Sequence, residues 1–455
     1  MAKVSVFGLG KVGHTLAACL GAASHQVICY DVNQALVDAV NGRSLHTQEK
    51  GVAERLAGLG PDKLRATADA REAVHQSDLT FVIVPTPSNM LGGFSLKYVL
   101  DAFRTIGAAI RDKEGPHSVS LVSTVLPGSS DRFLGPVLEE TSGRTLGHGL
   151  QYSYNPAFIA LGEVVKGFEQ PDYVLIGECG DTAGDALVGQ VHQAMLRNNA
   201  PIVRMKAVEA EITKIASNTH ETMRVAFANM LLSLCNEMPT TDVDRITGAL
   251  SHRIGKRFFK GAMPYGGPCW PRDNKALAVL VEAIGGTSAL LRAVDDSNDE
   301  HGAYVFRKLL DITRPGDTVG ILGLAYKPGT PVIERSYSVD LARWLVAEGR
   351  RVVGWDPMAM DEVRAVLSNQ IAFADGPAAV LKACDVTVVA MPLPELAEID
   401  WTVAGDRVVV DCWRCVPEGA RARLKNYQAL GHGDETPLGP WIADTLGNRF
   451  DVLCN

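Results

Sequence analysis

The chain has 455 residues, 46% of them hydrophobic and 21% charged, a composition typical of a globular protein with two or three domains. Lys and Arg total 44 against 52 Asp and Glu, and the resulting net charge of −8 disfavours a dedicated nucleic-acid binder. No apolar run approaches the roughly 20 residues of a membrane helix, and the N-terminal residues lack the pattern of a secretory signal. Nine cysteines, an odd number in a long chain, predict reduced thiols, a cytoplasmic location and no metal site.

The N-terminal part of the chain alternates apolar runs with helical patterns. Helices are predicted at residues 13–21 and 96–110, among others. Strands are predicted at residues 3–8, 26–30, 79–84, 119–125, 151–154 and 173–177. This alternation predicts a parallel sheet that binds its ligand at the carboxyl ends of the strands.

The middle of the chain has a different pattern. Residues 208–237 contain neither Gly nor Pro and carry apolar residues at helical spacing, which predicts one long helix, and further helices extend to about residue 310. A second alternating region follows, with strands predicted at 318–324, 351–355, 385–390 and 407–411. The predicted fold is α/β, with two Rossmann-like doubly wound parallel-sheet domains joined by a helical connector. We predict domains at residues 1–203, 204–312 and 313–455, and the segment after Leu424 receives no prediction.

A glycine-rich turn follows the first predicted strand. The sequence Gly8-Leu9-Gly10-Lys11-Val12-Gly13 opens a helix, and such glycines permit close approach of the backbone to a pyrophosphate. The second strand ends at Asp31, whose carboxylate would accept the ribose hydroxyls, and Val32-Asn33-Gln34 provides no arginine for a 2′-phosphate. The pattern favours NAD over NADP. Thr86 and Thr124 follow later strands where a nicotinamide would lie, although either hydroxyl could instead cap a turn.

The sharpest local motif is Tyr265-Gly266-Gly267-Pro268-Cys269-Trp270-Pro271-Arg272-Asp273. A cysteine in a Gly/Pro-rich loop, with a carboxylate four residues later, suits a thiol nucleophile with a nearby base. For a cysteine without context, the alternative is a buried, inert thiol. The position after a helical connector, in a chain with a dinucleotide motif, favours the nucleophile.

Taken together, these motifs resemble those of the UDP-glucose/GDP-mannose dehydrogenase family. Further motifs of the resemblance are Asn155-Pro156-x-Phe158, Glu211-Ile212-x-Lys214 with Asn218, and Gly323-Leu324-Ala325-Tyr326-Lys327. The resemblance implies oxidation of the C6 alcohol of a nucleotide sugar to a carboxylate, with two NAD per turnover. UDP-glucose is the default substrate, ahead of UDP-N-acetylhexosamines and GDP-mannose.

The resemblance also implies roles for individual residues. Cys269 would form a thiohemiacetal and then a thioester. Lys214 and Asn218, four residues apart on one helix face, would stabilise the oxyanion. Asp273 would activate water and Thr124 would position it.

Binding residues are implied in the same way. The cofactor set is Gly8, Gly10, Lys11, Val12, Gly13, Asp31, Thr86, Thr124, Arg272 and Arg335. The substrate set is Ala157, Phe158, Ile159, Ala160, Lys214, Asn218, Arg253, Tyr265, Gly266, Gly267 and Lys327. Arg253 matches an arginine that reaches the nucleotide of a neighbouring subunit, which implies a homodimer built on the long helix.

Several positions depart from the family pattern. Ala157 replaces a glutamate that acts as an acid–base group or positions water in the family. Glu163 is the nearby carboxylate that we consider as its substitute. Glu334-Arg335-Ser336 reverses the usual Arg-Glu order, and Arg414 is a candidate ligand in a motif that differs from the family's. Two other readings stay open: a two-electron β-hydroxyacid dehydrogenase, which needs neither Cys269 nor the second α/β domain, and a non-catalytic nucleotide-sugar sensor.

Overall fold

The computed structural model describes residues 1–45, 47–90, 92–179 and 186–446, apart from the side chains of residues 443 and 446. The chain divides into two compact units, one of residues 1–217 with 275–286 and the other of residues 218–274 with 287–455. No helix within the described ranges is long and apolar enough to cross a membrane. Among the same residues, none of the eight cysteines forms a disulfide, and Cys269 is exposed. Cys454 lies outside the described residues.

The first unit is built on a nine-stranded sheet. Its strands are β1 (Lys3–Phe7), β2 (Gln26–Tyr30), β3 (Leu64–Thr67), β4 (Leu79–Val82), β5 (His117–Leu121), β6 (Thr145–Leu146), β7 (Gly149–Tyr154), β8 (Val174–Glu178) and β9 (Ile202–Lys206). Its helices include α1 (Lys11–Ala22), α2 (Gln34–Asn41), α3 (Val52–Ala57), α4 (Ala70–His75), α5 (Lys97–Arg111), α6 (Gly135–Ser142), α7 (Val164–Glu169) and α8 (Ala186–Met195).

The strand order is β3-β2-β1-β4-β5-β7-β8-β9, and β6 pairs with β7. Neighbouring strands are parallel except β7 and β8, which are antiparallel and place Ser153 opposite Glu178. The connections from β1 lead first to one side of the sheet and later to the other, which leaves a crevice at the carboxyl ends of β1 and β4.

Alternate residues along these strands pack on opposite faces of the sheet. Val6 and Phe81 belong to one buried cluster together with Leu16 of α1. Phe7 and Val82, their chain neighbours, belong to a second cluster with helices on the other face. Because helices cover both faces of the sheet, β1 and β4 are apolar runs and do not alternate regularly between apolar and polar residues.

Four helices form the middle of the chain. They are α9 (Ala207–Glu237), α10 (Val243–Ile254), α11 (Trp270–Ala283) and α12 (Ala289–Ile312). The division between the units falls within α9, after Ser217, and within α11, after Asn274. The predicted long helix is therefore present, and it belongs in part to each unit.

The second unit contains a six-stranded sheet. Its strands are β10 (Thr318–Leu322), β11 (Arg351–Trp355), β12 (Ala372–Phe373), β13 (Val386–Val389), β14 (Val408–Asp411) and β15 (Asn426–Ala429). The remaining helices are α13 (Tyr337–Ala347), α14 (Met360–Leu367), α15 (Pro377–Ala383), α16 (Glu418–Arg421) and α17 (Leu438–Trp441). The order β12-β11-β10-β13-β14-β15, with every pair parallel, repeats the doubly wound pattern.

The predicted fold class is confirmed, with differences in detail. Five strands of the structure were not predicted from the sequence, namely β3, β6, β9, β12 and β15, and they are short or lie toward the edges of their sheets. Edge strands bury less apolar surface than central ones, so their hydrophobic pattern is weaker. The three domain boundaries stay predictions, since the compact units divide the helical region between them.

Candidate active site

The glycine-rich turn has the geometry that a dinucleotide requires. Gly8 has φ +101°, and a Cβ there would lie 2.0 Å from the carbonyl oxygen of Ile83. A Cβ on Gly13 would lie 1.8 Å from the carbonyl oxygen of Gly8, so both positions need glycine. Gly10 is the N-cap of α1, and a Cβ there would meet nothing within 4 Å, which leaves open space before the helix N-terminus. These residues fit a bound pyrophosphate.

Asp31 lies beside this turn at the end of β2. Its Oδ2 accepts a 2.7 Å hydrogen bond from the Leu9 backbone N–H, and its Oδ1 accepts one of 2.8 Å from that of Asn33. The carboxylate is only partly buried, so it retains acceptor capacity toward ribose hydroxyls. A negative charge held at this position opposes a 2′-phosphate, which fits NAD better than NADP.

The turns after β4 and β5, which contain Thr86 and Thr124, are fastened to each other and to α9. Ser123 Oγ accepts from the Val84 backbone N–H at 2.9 Å and donates to the Val84 carbonyl oxygen at 2.7 Å. Glu211, fully buried on α9, accepts from the backbone N–H groups of Gly128 at 2.6 Å and Ser130 at 2.9 Å. Burial raises the pKa of Glu211, although these hydrogen bonds oppose the shift. This role of Glu211 was not predictable from the sequence, because a glutamate that accepts hydrogen bonds from backbone N–H groups has no distinctive local pattern.

Lys214 lies one turn after Glu211 and contacts the segment Ala157–Ala160. It is 7% exposed, its Nζ donates a 2.9 Å hydrogen bond to the carbonyl oxygen of Ala157, and it lies 4.8 Å from the centre of the Phe158 ring. This burial is inconsistent with the alternative interpretation that Lys214 is a solvated lysine on a helix surface. The first unit thus brings together Lys214, Ala157 and Phe158.

Glu163 does not take the place of the missing glutamate near Lys214. Its carboxylate is exposed and lies 3.7 Å from Lys166, one turn along α7. The interpretation of Glu163 as a substitute for a glutamate at position 157 therefore has no support in its contacts.

Cys269 directly precedes α11 and is exposed. The Asp273 backbone N–H donates to the Cys269 carbonyl oxygen at 2.8 Å, which closes the first turn of the helix, and Pro271 fits there because the first helical N–H groups need no partner within the helix. The positive end of the helix dipole favours a thiolate at this position. Cys269 is thus an accessible thiol at the N-terminus of a helix.

Asp273, within the same helical turn, is fully buried and pairs with two predicted site residues. Asn218 Nδ2 donates to Asp273 Oδ2 at 2.6 Å, and Arg272 Nε donates to Oδ1 at 3.0 Å. Both carboxylate oxygens therefore already accept hydrogen bonds. This geometry fits a positioning role for Asp273 toward Asn218 and Arg272 better than a role as the base that activates water, which stays a prediction.

The loop before Cys269 packs against the segment that follows β10. A Cβ on Gly266 would lie 2.0 Å from the carbonyl oxygen of Arg335, and one on Gly267 would lie 2.5 Å from the Tyr326 ring. The Gly267 N–H donates to the carbonyl oxygen of Glu334 at 3.1 Å. The two glycines thus pack against the backbone of Glu334 and Arg335 and against the Tyr326 ring, so neither position has room for a side chain.

A buried polar network that the sequence analysis missed supports Tyr265. The Tyr265 hydroxyl donates to Asp295 Oδ1 at 2.5 Å, and Asn274 Nδ2 donates to the same oxygen at 2.8 Å. Asn298 holds the backbone of Tyr265 through its Oδ1 at 2.9 Å and its Nδ2 at 3.0 Å. Burial, with the neighbouring Asp295 carboxylate, raises the pKa of Tyr265 well above its usual range. In the sequence, the polar residues of α12 recur every three to four positions and resemble a solvated helix face. Their role in holding Tyr265 was therefore not predictable.

Two arginines fall outside these clusters. Arg253 lies exposed in the last turn of α10. Arg414 is not a ligand candidate, because it is buried and fully engaged: it pairs with Asp244 at 3.0 Å and donates to the carbonyl oxygens of Cys412 and Leu430. Its role is structural, and the earlier expectation for it is wrong.

The same region contains the group of potential metal ligands in the described part of the chain, Asp242, Asp244 and His432. Asp242 caps α10 by accepting from the N–H groups of Asp244 and Arg245, and Asp244 pairs with Arg414. The charge of this group is already balanced by protein donors.

Comparison with known proteins shows the family to which the chain belongs. Three models of the UDP-glucose/GDP-mannose dehydrogenase family match: the NAD binding domain at residues 2–196, the central domain at 208–300 and the UDP binding domain at 320–418. A UDP-glucose 6-dehydrogenase of Haloferax volcanii is 33% identical over 94% of this chain and 100% of its own length. A GDP-mannose 6-dehydrogenase of Pseudomonas syringae pv. tomato is 31% identical over 76% of this chain and 79% of its own. The solved structure of a UDP-glucose dehydrogenase from Pyrobaculum islandicum superposes with a TM-score of 0.86 at 32% identity, covering 95% of this chain and 98% of that one.

Proposed function

Because this chain belongs to the UDP-glucose/GDP-mannose dehydrogenase family and is an NAD-dependent nucleotide-sugar dehydrogenase, we propose that it oxidises UDP-glucose to UDP-glucuronate through a thioester on Cys269. Relatives named for UDP-glucose at 33% and 32% identity support this substrate, as does the match to a UDP binding domain at residues 320–418. The observation that carries the proposal is Cys269, an exposed thiol at the N-terminus of α11 one turn before the Asp273–Asn218 pair.

The first oxidation converts the C6 alcohol to an aldehyde. NAD held by the glycine-rich turn and Asp31 would accept the hydride, and the alcohol proton leaves to a base or to solvent. The buried ammonium of Lys214 stabilises the oxygen as negative charge develops on it, and the Asn218 amide provides a second donor. Asp273 fixes which way that amide points.

The second oxidation proceeds on Cys269. Its thiolate adds to the aldehyde carbon and the carbonyl oxygen gains a proton, which gives a thiohemiacetal. Loss of that proton and of a hydride to a second NAD gives a thioester. Water then adds, the C–S bond breaks, and the carboxylate product leaves with the thiol restored. Two NAD are reduced for each sugar.

The remaining predicted residues complete the proposal. Gly8, Gly10, Lys11, Val12, Gly13, Asp31, Thr86, Thr124, Arg272 and Arg335 serve NAD. Ala157, Phe158, Ile159, Ala160, Arg253, Tyr265, Gly266, Gly267 and Lys327 serve the nucleotide sugar. Lys327 contacts the diphosphate, since an ammonium at the carboxyl end of β10 attracts that charge.

We propose a homodimer through α9 and α10 of the second unit. Phe227, Met230 and Leu234 are 47–54% exposed at spacings of three and four on α9, so they share one face. Ile246, Leu250 and Ile254 are 36–45% exposed at spacings of four on α10. Two such apolar faces, next to Arg253, fit a second copy of the chain. Light scattering should give twice the 48.8 kDa chain mass, and Met230→Glu with Leu234→Glu should shift it to the monomer mass.

The alternatives are the same chemistry on GDP-mannose or a UDP-N-acetylhexosamine, and nucleotide-sugar binding without catalysis. The GDP-mannose 6-dehydrogenase at 31% identity keeps the first of these open. The discriminating experiment measures NADH formed per sugar consumed with each candidate. Two NADH per UDP-glucose, with kcat/KM at least about tenfold above the others, supports the proposal. One NADH per enzyme followed by arrest, or no NADH from any sugar, contradicts it.

A further inference from the structure

A cavity of about 280 Å³ lies in the first unit, and its lining includes none of the residues proposed above to bind NAD or the nucleotide sugar. It is formed by the loop before α3, α3 itself, α7 and the loop after α8. Its charged lining residues are Lys50, Arg55, Glu163, Lys166, Glu169 and Arg197, here called the basic cavity. Its volume is just below the roughly 300–1,000 Å³ of pockets for drug-sized ligands, so its occupant is smaller.

The lining is positively charged and ordered. Four cationic side chains face two carboxylates, a net charge of +2 in a chain whose net charge is −8. Glu169, 4% exposed, accepts from Arg55 Nε at 2.7 Å and Nη2 at 2.6 Å, and pairs with Arg197 Nε at 2.9 Å. One buried carboxylate thus orients two guanidinium groups and neutralises only one of them. Planar donors fixed in this way suit the oxygens of a phosphoryl group.

The elements that line the basic cavity also contact the segment Ala157–Ala160, to which Lys214 donates a hydrogen bond. Glu49, next to Lys50, accepts from the backbone N–H groups of Gly162 at 2.7 Å and Val164 at 3.3 Å. Gly167 of α7 packs against Ile159, since a Cβ there would lie 2.7 Å from its Cγ2. An anion that bridges Lys50 and Arg197 would therefore restrain residues 157–167.

We propose that the basic cavity binds a small phosphoryl anion and that its occupancy orders the segment at residues 157–167. This proposal concerns anion binding and does not depend on the proposed oxidation reaction. Lys50 and Arg197 supply the exposed donors. The buried Glu169 carboxylate orients Arg197 as well as Arg55.

The test is hydrogen–deuterium exchange of the full chain with inorganic pyrophosphate as the probe. Saturating NAD is present throughout, so that the glycine-rich turn is occupied. Amide exchange of peptides covering residues 157–170 should slow with pyrophosphate and remain unchanged with sodium chloride of the same ionic strength. In the double variant Arg197→Gln with Lys50→Gln, the pyrophosphate concentration that gives half of the maximal protection from exchange should rise at least about tenfold.

The matched control is Arg104→Gln. Arg104 is 55% exposed and pairs with Asp101, so it resembles Arg197, which is 57% exposed and pairs with Glu169. Arg197→Gln leaves Glu169 paired with Arg55, so the fold persists, which circular dichroism checks. Absence of protection with pyrophosphate overturns the proposal. So does an equal loss of affinity in Arg104→Gln, since that would be general charge screening.

Discussion

Asn218 Nδ2 lies 2.6 Å from Asp273 Oδ2, and this hydrogen bond joins the long helix α9 to the first turn of α11. Asp273 is fully buried, and its other oxygen accepts from Arg272 Nε at 3.0 Å. An ionised carboxylate only accepts hydrogen bonds, so the Asn218 amide must present its NH₂ group to Asp273. The orientation of a predicted oxyanion donor is thus determined by a residue that need not touch the substrate.

Replacing Asp273 by Asn should lower kcat about 10²-fold with little change in secondary structure. An asparagine can present either its oxygen or its NH₂ group to Asn218, and misorientation near a reacting centre costs on that order. Initial rates of NADH formation measure the effect. Asp296→Asn, at an exposed position of α12, is the control for the same chemical change. An Asp273→Asn enzyme with wild-type kcat would show that this hydrogen bond does not matter.

Cys269→Ala should abolish steady-state NADH formation, by about 10³-fold or more, while the thermal midpoint stays within about 1 °C. The thiol is exposed, so its loss leaves no cavity, whereas removal of a nucleophile removes the covalent step. Iodoacetamide should label Cys269 in the wild type, and NAD with UDP-glucose should protect it. Cys415→Ala, which removes a partly buried thiol near Asp411, should behave like the wild type.

Ala157→Glu should accelerate thioester hydrolysis by about 10²–10⁴-fold, the usual contribution of a general acid–base group. The carbonyl oxygen of Ala157 accepts from Lys214, so a side chain at this position begins beside the predicted oxyanion donor. Rapid quenching and mass spectrometry of the sugar adduct on Cys269 measure its decay. Ala157→Gln provides the same size without the carboxylate. If Gln and Glu change the decay equally, the carboxylate has no role.

NADP should be used at least about 100-fold less efficiently than NAD. Asp31 holds a negative charge beside the glycine-rich turn through the backbone of Leu9 and Asn33, and juxtaposed like charges cost several kcal/mol. Asp31→Asn should reduce the ratio of kcat/KM with NAD to kcat/KM with NADP at least about tenfold. Asp38→Asn, an exposed position on α2, should leave the ratio unchanged. Equal use of the two cofactors by the wild type would contradict this interpretation of Asp31.

The Arg414–Asp244 pair should make the stability of the second unit depend on acidic pH. Burial raises the pKa of Asp244, but the hydrogen bonds and charge of Arg414 outweigh it, so the pKa is lowered. A lowered pKa contributes stability that is complete above the unfolded value of about 3.9 and is lost as pH falls toward the lower folded value. Below about pH 4, the free energy of unfolding should therefore fall more steeply in the wild type than in Asp244→Asn.

Arg414→Ala provides the companion measurement in urea at pH 7. It removes a side chain that is 1% exposed and leaves three carbonyl oxygens and Asp244 without their donor, so it should cost about 3–5 kcal/mol. Arg364→Ala, which breaks an exposed pair with Asp361, should cost less than about 1 kcal/mol. Equal costs for the two variants would mean that burial of Arg414 contributes nothing.

The sequence alone determined the features that depend on local pattern. Alternating apolar and helical segments predicted both doubly wound sheets, because central parallel strands are buried on both faces and show as apolar runs. Gly8 and Gly13 were recognisable because only glycine tolerates the close backbone contacts made there. Asp31 was recognisable because it follows the second apolar run, which is β2 in the structure. Cys269 stood out because Gly and Pro surround it.

Only the tertiary structure decided what depends on contacts between distant segments. The burial of Lys214 against Ala157, the pairing of Asp273 with Asn218 and the Tyr265–Asp295 network join residues up to 57 positions apart. Arg414 is a ligand candidate by sequence and a buried structural residue in the fold, since its partner Asp244 lies 170 positions away. A local pattern carries no information about such pairs, because the same lysine, aspartate or arginine can lie in solvent or in the core. Burial and hydrogen-bond partners make the difference, and these are properties of the folded chain.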